Sequence, residues 1–335
     1  MRTQPVEPTN SPQPKPEPAS RDLLSTHDLA PHEIHALFNL TSMLKQRPAD
    51  FRGVLTGKQM VMFFEKPSLR TRLTFEAGMD SLGGSTFFVD QTRSRIDARE
   101  SLHDIAHNLE RWIDIIVLRT FNHATVEDMA AHAQVPVINA LSDREHPCQA
   151  LADLFTVQEH FGDLSKVHFA YVGDGNNVAH SLLLAGAALG ASVSIATPGA
   201  HAPTPAIIEA AKALAEETGA AVNILTDPRE AVSGADAVYT DVWASMGQEG
   251  EADSRSSVFA PYQVNAALMQ YAAPHALFMH CLPAHRGWEV TDEVIDAAYS
   301  VVFEQAENRL HIQKAILVWL LGGGVGRLPV RSAHA

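Results

Sequence analysis

The sequence predicts an α/β protein of two domains, each a mostly parallel sheet flanked by helices, with two helices joining them. Three observations predict it. From about residue 30, short apolar runs of strand length alternate with helix-compatible runs, the pattern of strands covered on both faces. A length of 335 residues suits about two domains of ordinary size. Polar and reactive side chains recur where the apolar runs end, the place where open α/β sheets hold ligands.

Taken in order, residues 1–20 place Pro5, Pro8, Pro12, Pro14, Pro16 and Pro18 among polar neighbours, the composition of an extended or disordered tail. Its lack of an apolar stretch, its acidic Glu7 and Glu17 and its few arginines argue against secretory or organellar targeting. The run Met60-Val61-Met62-Phe63-Phe64 marks a strand over 59–65, and 73–82 reads as a helix. Further strands are expected at 114–119, 136–140, 167–173, 192–197, 222–226, 237–241, 277–282 and 301–304, with helical runs at 126–133, 178–189 and 205–217. A helix over 146–161 opens with Pro147, which the first turn tolerates. The pattern restarts at 167, so the division falls inside that helix, giving domains 21–155 and 156–307. A second long helix over 306–321 returns towards the first domain, which then also takes in 308–335. No internal repeat is visible.

Composition narrows the function. The chain is 46% apolar and 19% charged, as soluble globular proteins are. It has no run of 18 or more apolar residues, so a membrane span is not expected. A net charge of −14 argues against nucleic acid as the main partner and leaves any anion site to local arginines. Cys148 and Cys281 are too few for a disulfide framework, which fits a reducing cytoplasm.

Ser68-Leu69-Arg70-Thr71-Arg72 gathers two guanidiniums and two hydroxyls between a strand end and a helix start. Free N–H groups and the positive end of the helix dipole favour an anion there, and arginine forks match phosphate. A polar helix start with surface arginines is the plain alternative. Arg119 ends the next strand. His146 and Gln149, three apart, share a helix face and could hold a carbonyl and its amine; a capped helix with a satisfied histidine explains them equally. Gly173-Asp174-Gly175-Asn176-Asn177 lacks the G-x-G-x-x-G spacing, and no acidic residue ends the following strand, so dinucleotide binding is set aside. Asn177 could instead bind a carboxylate or amine. Asp241 and Ser245-Met246-Gly247 offer a carboxylate and a Gly-containing loop, suited to an α-amino acid or to solvent. Cys281 follows His280 at another strand end. His103 and His107 have the i, i+4 spacing of a helical zinc pair, but Asp104 replaces the glutamate of H-E-x-x-H and no third ligand is evident, so a zinc hydrolase is not expected.

Together these stretches resemble the ornithine carbamoyltransferase family over about residues 22–328. The carrying motifs are residues 64–72, Leu118-Arg119-Thr120, His146-Pro147-Cys148-Gln149, Gly175-Asn176-Asn177, Asp241 with Ser245-Met246-Gly247, His280-Cys281-Leu282-Pro283 and Glu307-Asn308-Arg309. The resemblance implies carbamoyl transfer from carbamoyl phosphate to the δ-amine of L-ornithine, with no metal or organic cofactor. It implies that Ser68, Arg70 and Thr71 hold phosphate with the N–H groups of Leu69 and Arg72. Arg119, His146 and Gln149 would hold the carbamoyl end. Asn177, Asp241, Ser245 and Met246 would bind the α-amino acid part of ornithine, and Cys281, Leu282 and Arg309 would line the reacting end. Arg95 would reach a neighbouring subunit's site in a homotrimer or a multiple of it. Leu69 stands where many members have threonine. Putrescine, N-acetylornithine and N-succinylornithine remain alternative acceptors, and a non-catalytic binding protein on the same fold remains a different class.

Overall fold

The computed structural model describes residues 21–93, 95–244 and 252–322. The proline-rich segment 1–20 and the site candidates Ser245 and Met246 lie outside them. The amino-terminal half runs α1 (Pro31–Gln46), β1 (Gln59–Phe64), α2 (Leu69–Ser81), β2 (Ser85–Asp90), α3 (Leu102–Leu109), β3 (Ile115–Arg119), α4 (His123–His132), β4 (Val137–Leu141) and α5 (Pro147–Phe161). The remainder runs β5 (His168–Val172), α6 (Asn177–Ala188), β6 (Ser192–Ala196), α7 (Pro205–Thr218), β7 (Val222–Leu225), α8 (Pro228–Val232), β8 (Ala237–Thr240), α9 (Ala252–Phe259), α10 (Ala266–Met269), β9 (Leu277–His280), α11 (Asp292–Ile295) and α12 (Val302–Leu321).

Among the described residues the strands form two sheets, β2-β1-β3-β4 and β7-β6-β5-β8-β9. Every pairing is parallel. Strands β3 and β4 are mostly apolar because both faces are covered: all five residues of each are buried, Arg119 and Asn139 among them. In each sheet the strand order reverses once, between β1 and β3 and between β5 and β8. A crevice opens at such reversals, at the carboxyl ends of the strands.

Three local expectations are corrected. The strand expected at 301–304 is the start of α12. Only Ser300 bridges to Phe278, and the β-branched pair Val301-Val302 is buried at a helix start instead. The helix expected to begin at 73 begins at Leu69, because the Ser68 hydroxyl accepts the Thr71 N–H and caps it. Strand β2 was not expected; it is an edge strand with alternating exposure, and Phe87 remains 52% exposed.

Helix α12 packs on α1, α2 and α5. Its apolar residues Ile312, Ile316, Leu317 and Val318 are buried, but so are Gln305, Asn308 and Arg309. Those polar side chains are satisfied specifically. Asn308 Nδ2 donates to Thr156 Oγ1 (2.9 Å) and Glu159 Oε2 (2.6 Å) on α5, and Gln305 Oε1 accepts the His280 N–H (2.9 Å). The helix therefore ties α5 to the end of β9 and carries Arg309 into the crevice.

Candidate active site

A cavity of about 550 Å³ lies where the carboxyl ends of β1, β3, β5, β8 and β9 face one another. Ser68, Leu69, Arg70, Thr71, Arg119, His146, Gln149, Asn177, Asp241, Cys281, Leu282 and Arg309 all line it. Residues as far apart in sequence as Ser68 and Arg309 thus share one space.

One end is built for negative charge. Ser68 caps α2, and the Arg72 N–H is used by the first helical bond to the Ser68 carbonyl (3.3 Å). The Leu69 and Arg70 N–H groups, in the first turn, have no intrahelical acceptor. Leu69 is 70% exposed, so its side chain faces water while its N–H remains at the helix start. In the same lining, Arg119 is 4% and Arg309 3% exposed. Arg309 Nη2 donates to Thr71 Oγ1 (2.7 Å). Among the described residues the Nε of each arginine lacks a hydrogen-bond partner, and neither pairs with a carboxylate. Burial pushes Arg119 down to about 9, and the charge of Arg309 adds to the shift. Arg309 is lowered chiefly by burial. Two buried, mutually repelling guanidiniums without a counter-ion are costly, and a bound anion removes that cost.

Beside them, burial holds His146 well below its ordinary value, and the charges of Arg309 and Arg119 act in the same direction. Its imidazole is neutral at pH 7, and Nδ1 has no partner. Gln149 Nε2 donates to Asp153 Oδ1 (2.7 Å), which leaves the Gln149 carbonyl oxygen towards the cavity. Asp153 also accepts from Gln305 Nε2 (2.7 Å). It is fully buried, which pushes it up to about 7.

The opposite end carries a carboxylate. Asp241 Oδ2 accepts from Asn176 Nδ2 (2.9 Å), and its Oδ1 accepts from Val242 N (2.8 Å) and the Cys281 thiol (2.9 Å). Asn176 also caps α6, accepting the Val178 (2.9 Å) and Ala179 (3.2 Å) N–H groups. Gly175 is required before it: a Cβ there would lie 2.4 Å from Pro203 N and 2.5 Å from His201 O. Burial first, and the Asp241 charge second, hold the Cys281 thiol well above its usual range. Cys281 is thus a thiol donor and not a thiolate. Asn177 Nδ2 donates to the Ser142 carbonyl (2.6 Å), linking the two sheets' loops.

Ligand atoms of Asp241, His280 and Cys281 lie within 4.8 Å of one another. His280 is a poor metal ligand here because both ring nitrogens are used. Nδ1 accepts the Leu282 N–H (2.9 Å), which leaves Nε2–H for the buried Glu289 (3.2 Å). This pair shapes the turn at Leu282, whose φ of 56° is the described chain's one positive value outside glycine.

Two expected site residues stand apart from the cavity. Arg72 Nε pairs with Glu76 (2.9 Å) and its guanidinium lies 3.8 Å from the Phe88 ring centroid. Arg95 pairs with Asp97 through Nε (3.0 Å) and Nη2 (2.8 Å) and is exposed. Conversely, Lys66 and His285 line the cavity without having been singled out, and Asn176 and Asp153 orient residues that were. Asn176 and Asp153 carried readable signals: an asparagine at a strand-to-helix turn, and an acid four residues after Gln149 on one helix face.

Residues 21–159 match the family model described as the aspartate/ornithine carbamoyltransferase carbamoyl-P binding domain, and residues 165–320 match its Asp/Orn binding domain. The chain is 50% identical over 305 residues to the ornithine carbamoyltransferase of Pyrococcus abyssi, covering 90% of this chain and 96% of that one. It is 50% identical over 304 residues to that of Bacillus subtilis, covering 91% and 95%. The solved ornithine carbamoyltransferase of Pyrococcus furiosus superposes with a TM-score of 0.88 at 49% identity, over 91% of this chain and 98% of that one.

Proposed function

The chain belongs to the aspartate/ornithine carbamoyltransferase family, and from that premise we infer that it transfers the carbamoyl group of carbamoyl phosphate to the δ-amine of L-ornithine, giving L-citrulline and phosphate. The observation that carries this reading is the pair of buried guanidiniums, Arg119 and Arg309, with no carboxylate partner among the described residues. They share one cavity with the capped start of α2, where Arg309 meets Thr71, and with the Asp241 carboxylate.

In this reading the phosphate rests on the Ser68 hydroxyl, Arg70, Thr71 and the N–H groups of Leu69 and Arg70. Arg72 contributes less than the family pattern implies, since its N–H and side chain are already engaged. Arg119, the neutral His146 and the Gln149 carbonyl oxygen hold the carbamoyl oxygen and amine. Asp241 and Asn177, with Ser245 and Met246, bind the α-amino acid part of ornithine. The δ-amine must shed a proton, because its free pKa is near that of lysine, about 10.4. Its nitrogen lone pair then attacks the carbonyl carbon. The oxygen that gains charge is stabilised by Arg119, Arg309 and Thr71. The bond to the phosphate oxygen breaks, that electron pair leaves with phosphate, and the departing phosphate takes up the second proton shed by the attacking nitrogen. Cys281, already a donor to Asp241, cannot accept the amine proton, which leaves Asp241 as the carboxylate at that end. Holding both substrates in one cavity supplies much of the rate, and the balance requires no cofactor.

We further propose a division of the chain within α5, a cytoplasmic location, and a homotrimer or multiple of it in which Arg95 serves a neighbour's site. Its position at the surface, away from its own cavity, supports that last point.

Citrulline formation by the purified chain tests the reading. Carbamoyl phosphate is supplied with L-ornithine and, in parallel, with putrescine, N-acetylornithine or N-succinylornithine. Turnover confined to L-ornithine is expected. Preference for another amine, or no product with any, overturns it.

A further inference from the structure

Outside the cavity the structure supplies what the His103-x-x-x-His107 spacing lacked, a third imidazole. His103 and His107 share one face of α3, and His132 in the last turn of α4 comes up beside them. The ring centroids of His103 and His107 are 4.4 Å apart, and those of His103 and His132 5.0 Å. With Zn–N bonds of about 2.0–2.1 Å, an imidazole centroid lies roughly 3.2 Å from a bound ion, so two coordinating rings at ~90–109° sit about 4.5–5.2 Å apart. The His103–His132 spacing falls in that range and the His103–His107 spacing just below it, although in the present rotamers the three rings' nitrogens do not all come within 4.8 Å of one another.

Each ring also has one nitrogen beside a carboxylate. His103 Nδ1 meets Asp104 Oδ1 (3.0 Å), His107 Nδ1 meets Glu110 Oε1 (3.3 Å), and His132 Nε2 meets Asp128 Oδ1 (3.3 Å). Glu110 is itself fixed, because its Oε2 accepts the Gln134 N–H (3.1 Å) just beyond α4. A carboxylate that accepts a hydrogen bond from the N–H of one imidazole nitrogen leaves a lone pair on the other, the arrangement that orients histidines for metal binding. His103 Nε2, His107 Nε2 and His132 Nδ1 are the nitrogens so left. All three rings are partly or fully exposed, so they are free to rotate about χ1 and χ2 from their present edge-to-face packing onto a shared ion.

We propose that His103, His107 and His132 form a surface site for a divalent transition metal ion of the zinc type, bridging α3 and α4. Neutral imidazole suits Zn²⁺, Ni²⁺ and Cu²⁺, and the adjoining Asp104, Glu110 and Asp128 offset the ion's charge. The site is separate from the catalytic cavity and takes no part in carbamoyl transfer.

Equilibrium dialysis of the untagged, chelator-treated full chain against Zn²⁺ tests it, comparing wild type with His103→Asn, His132→Asn, Glu110→Gln and Cys281→Ser. One bound Zn²⁺ per chain is expected to be lost in both histidine variants and kept in Cys281→Ser. Glu110→Gln is expected to weaken it roughly 10–100-fold. In parallel, Zn²⁺ should raise the melting temperature of wild type, reversibly with chelator, and fail to raise that of a folded His132→Asn. Unchanged zinc stoichiometry in the histidine variants, or loss only in Cys281→Ser, overturns the proposal.

Discussion

At the scale of single residues, the cavity is organised by groups held in costly states. Asp153 is one: a carboxyl buried beneath Gln149 and pushed up to about 7. Its folded value lies above its unfolded one, so the folded state binds more protons between about pH 4 and 7, and stability falls as pH rises through that window. Asp153→Asn is expected to flatten this slope in urea unfolding at successive pH values. Because asparagine can present its amide nitrogen to Gln149, that amide is freed to turn, and the KM for carbamoyl phosphate should rise more than kcat falls. An unchanged pH slope together with an unchanged KM contradicts the assignment. His146 has the opposite sign: held below its ordinary value, it costs stability as pH falls below about 6.5. Residue identity made Arg119, His146 and Cys281 legible in the sequence. It did not reveal that Arg72 is spent on Glu76, nor that Lys66 reaches the cavity, because both depend on side-chain direction.

At the scale of elements, turns decide where chemistry points. Periodicity located the central strands because both faces are buried. It failed at β2, where an edge strand shows only weak alternation, and at 301–304, where a β-branched pair begins a helix. The turn after β5 shows the same logic at atomic scale. Gly175 lets the chain pass against Pro203 and His201, and Asn176 then reaches Asp241. Gly175→Ala forces backbone apart at 2.4 Å, so a loss of about 1–3 kcal/mol in unfolding free energy is expected. The shift also loosens Asn176 from Asp241, so the KM for ornithine should rise while that for carbamoyl phosphate changes little. Equal changes in both constants would place the effect elsewhere.

At the scale of the whole molecule, two parallel sheets each reverse strand order once, and the site occupies the crevice between the two reversals. The alternating pattern made that architecture legible, and strand-end residues indicated one shared cleft. The sequence could not show that α12 lowers Arg309 between the sheets, because that depends on how α12 packs against α1, α2 and α5. With an overall charge of −14, the molecule draws no anion in by its net field. Arg119 and Arg309 are buried for an anion and not for the fold. The direct measurement is thermal unfolding of wild type and Arg119→Met, each with and without carbamoyl phosphate. Without ligand, Arg119→Met should match or exceed wild type in stability, since a buried unpaired charge has been removed. Ligand at a hundred times its Kd should stabilise wild type by about 2.7 kcal/mol and leave the variant unchanged. A variant that is several kcal/mol less stable without ligand, yet still stabilised by carbamoyl phosphate, would contradict the account.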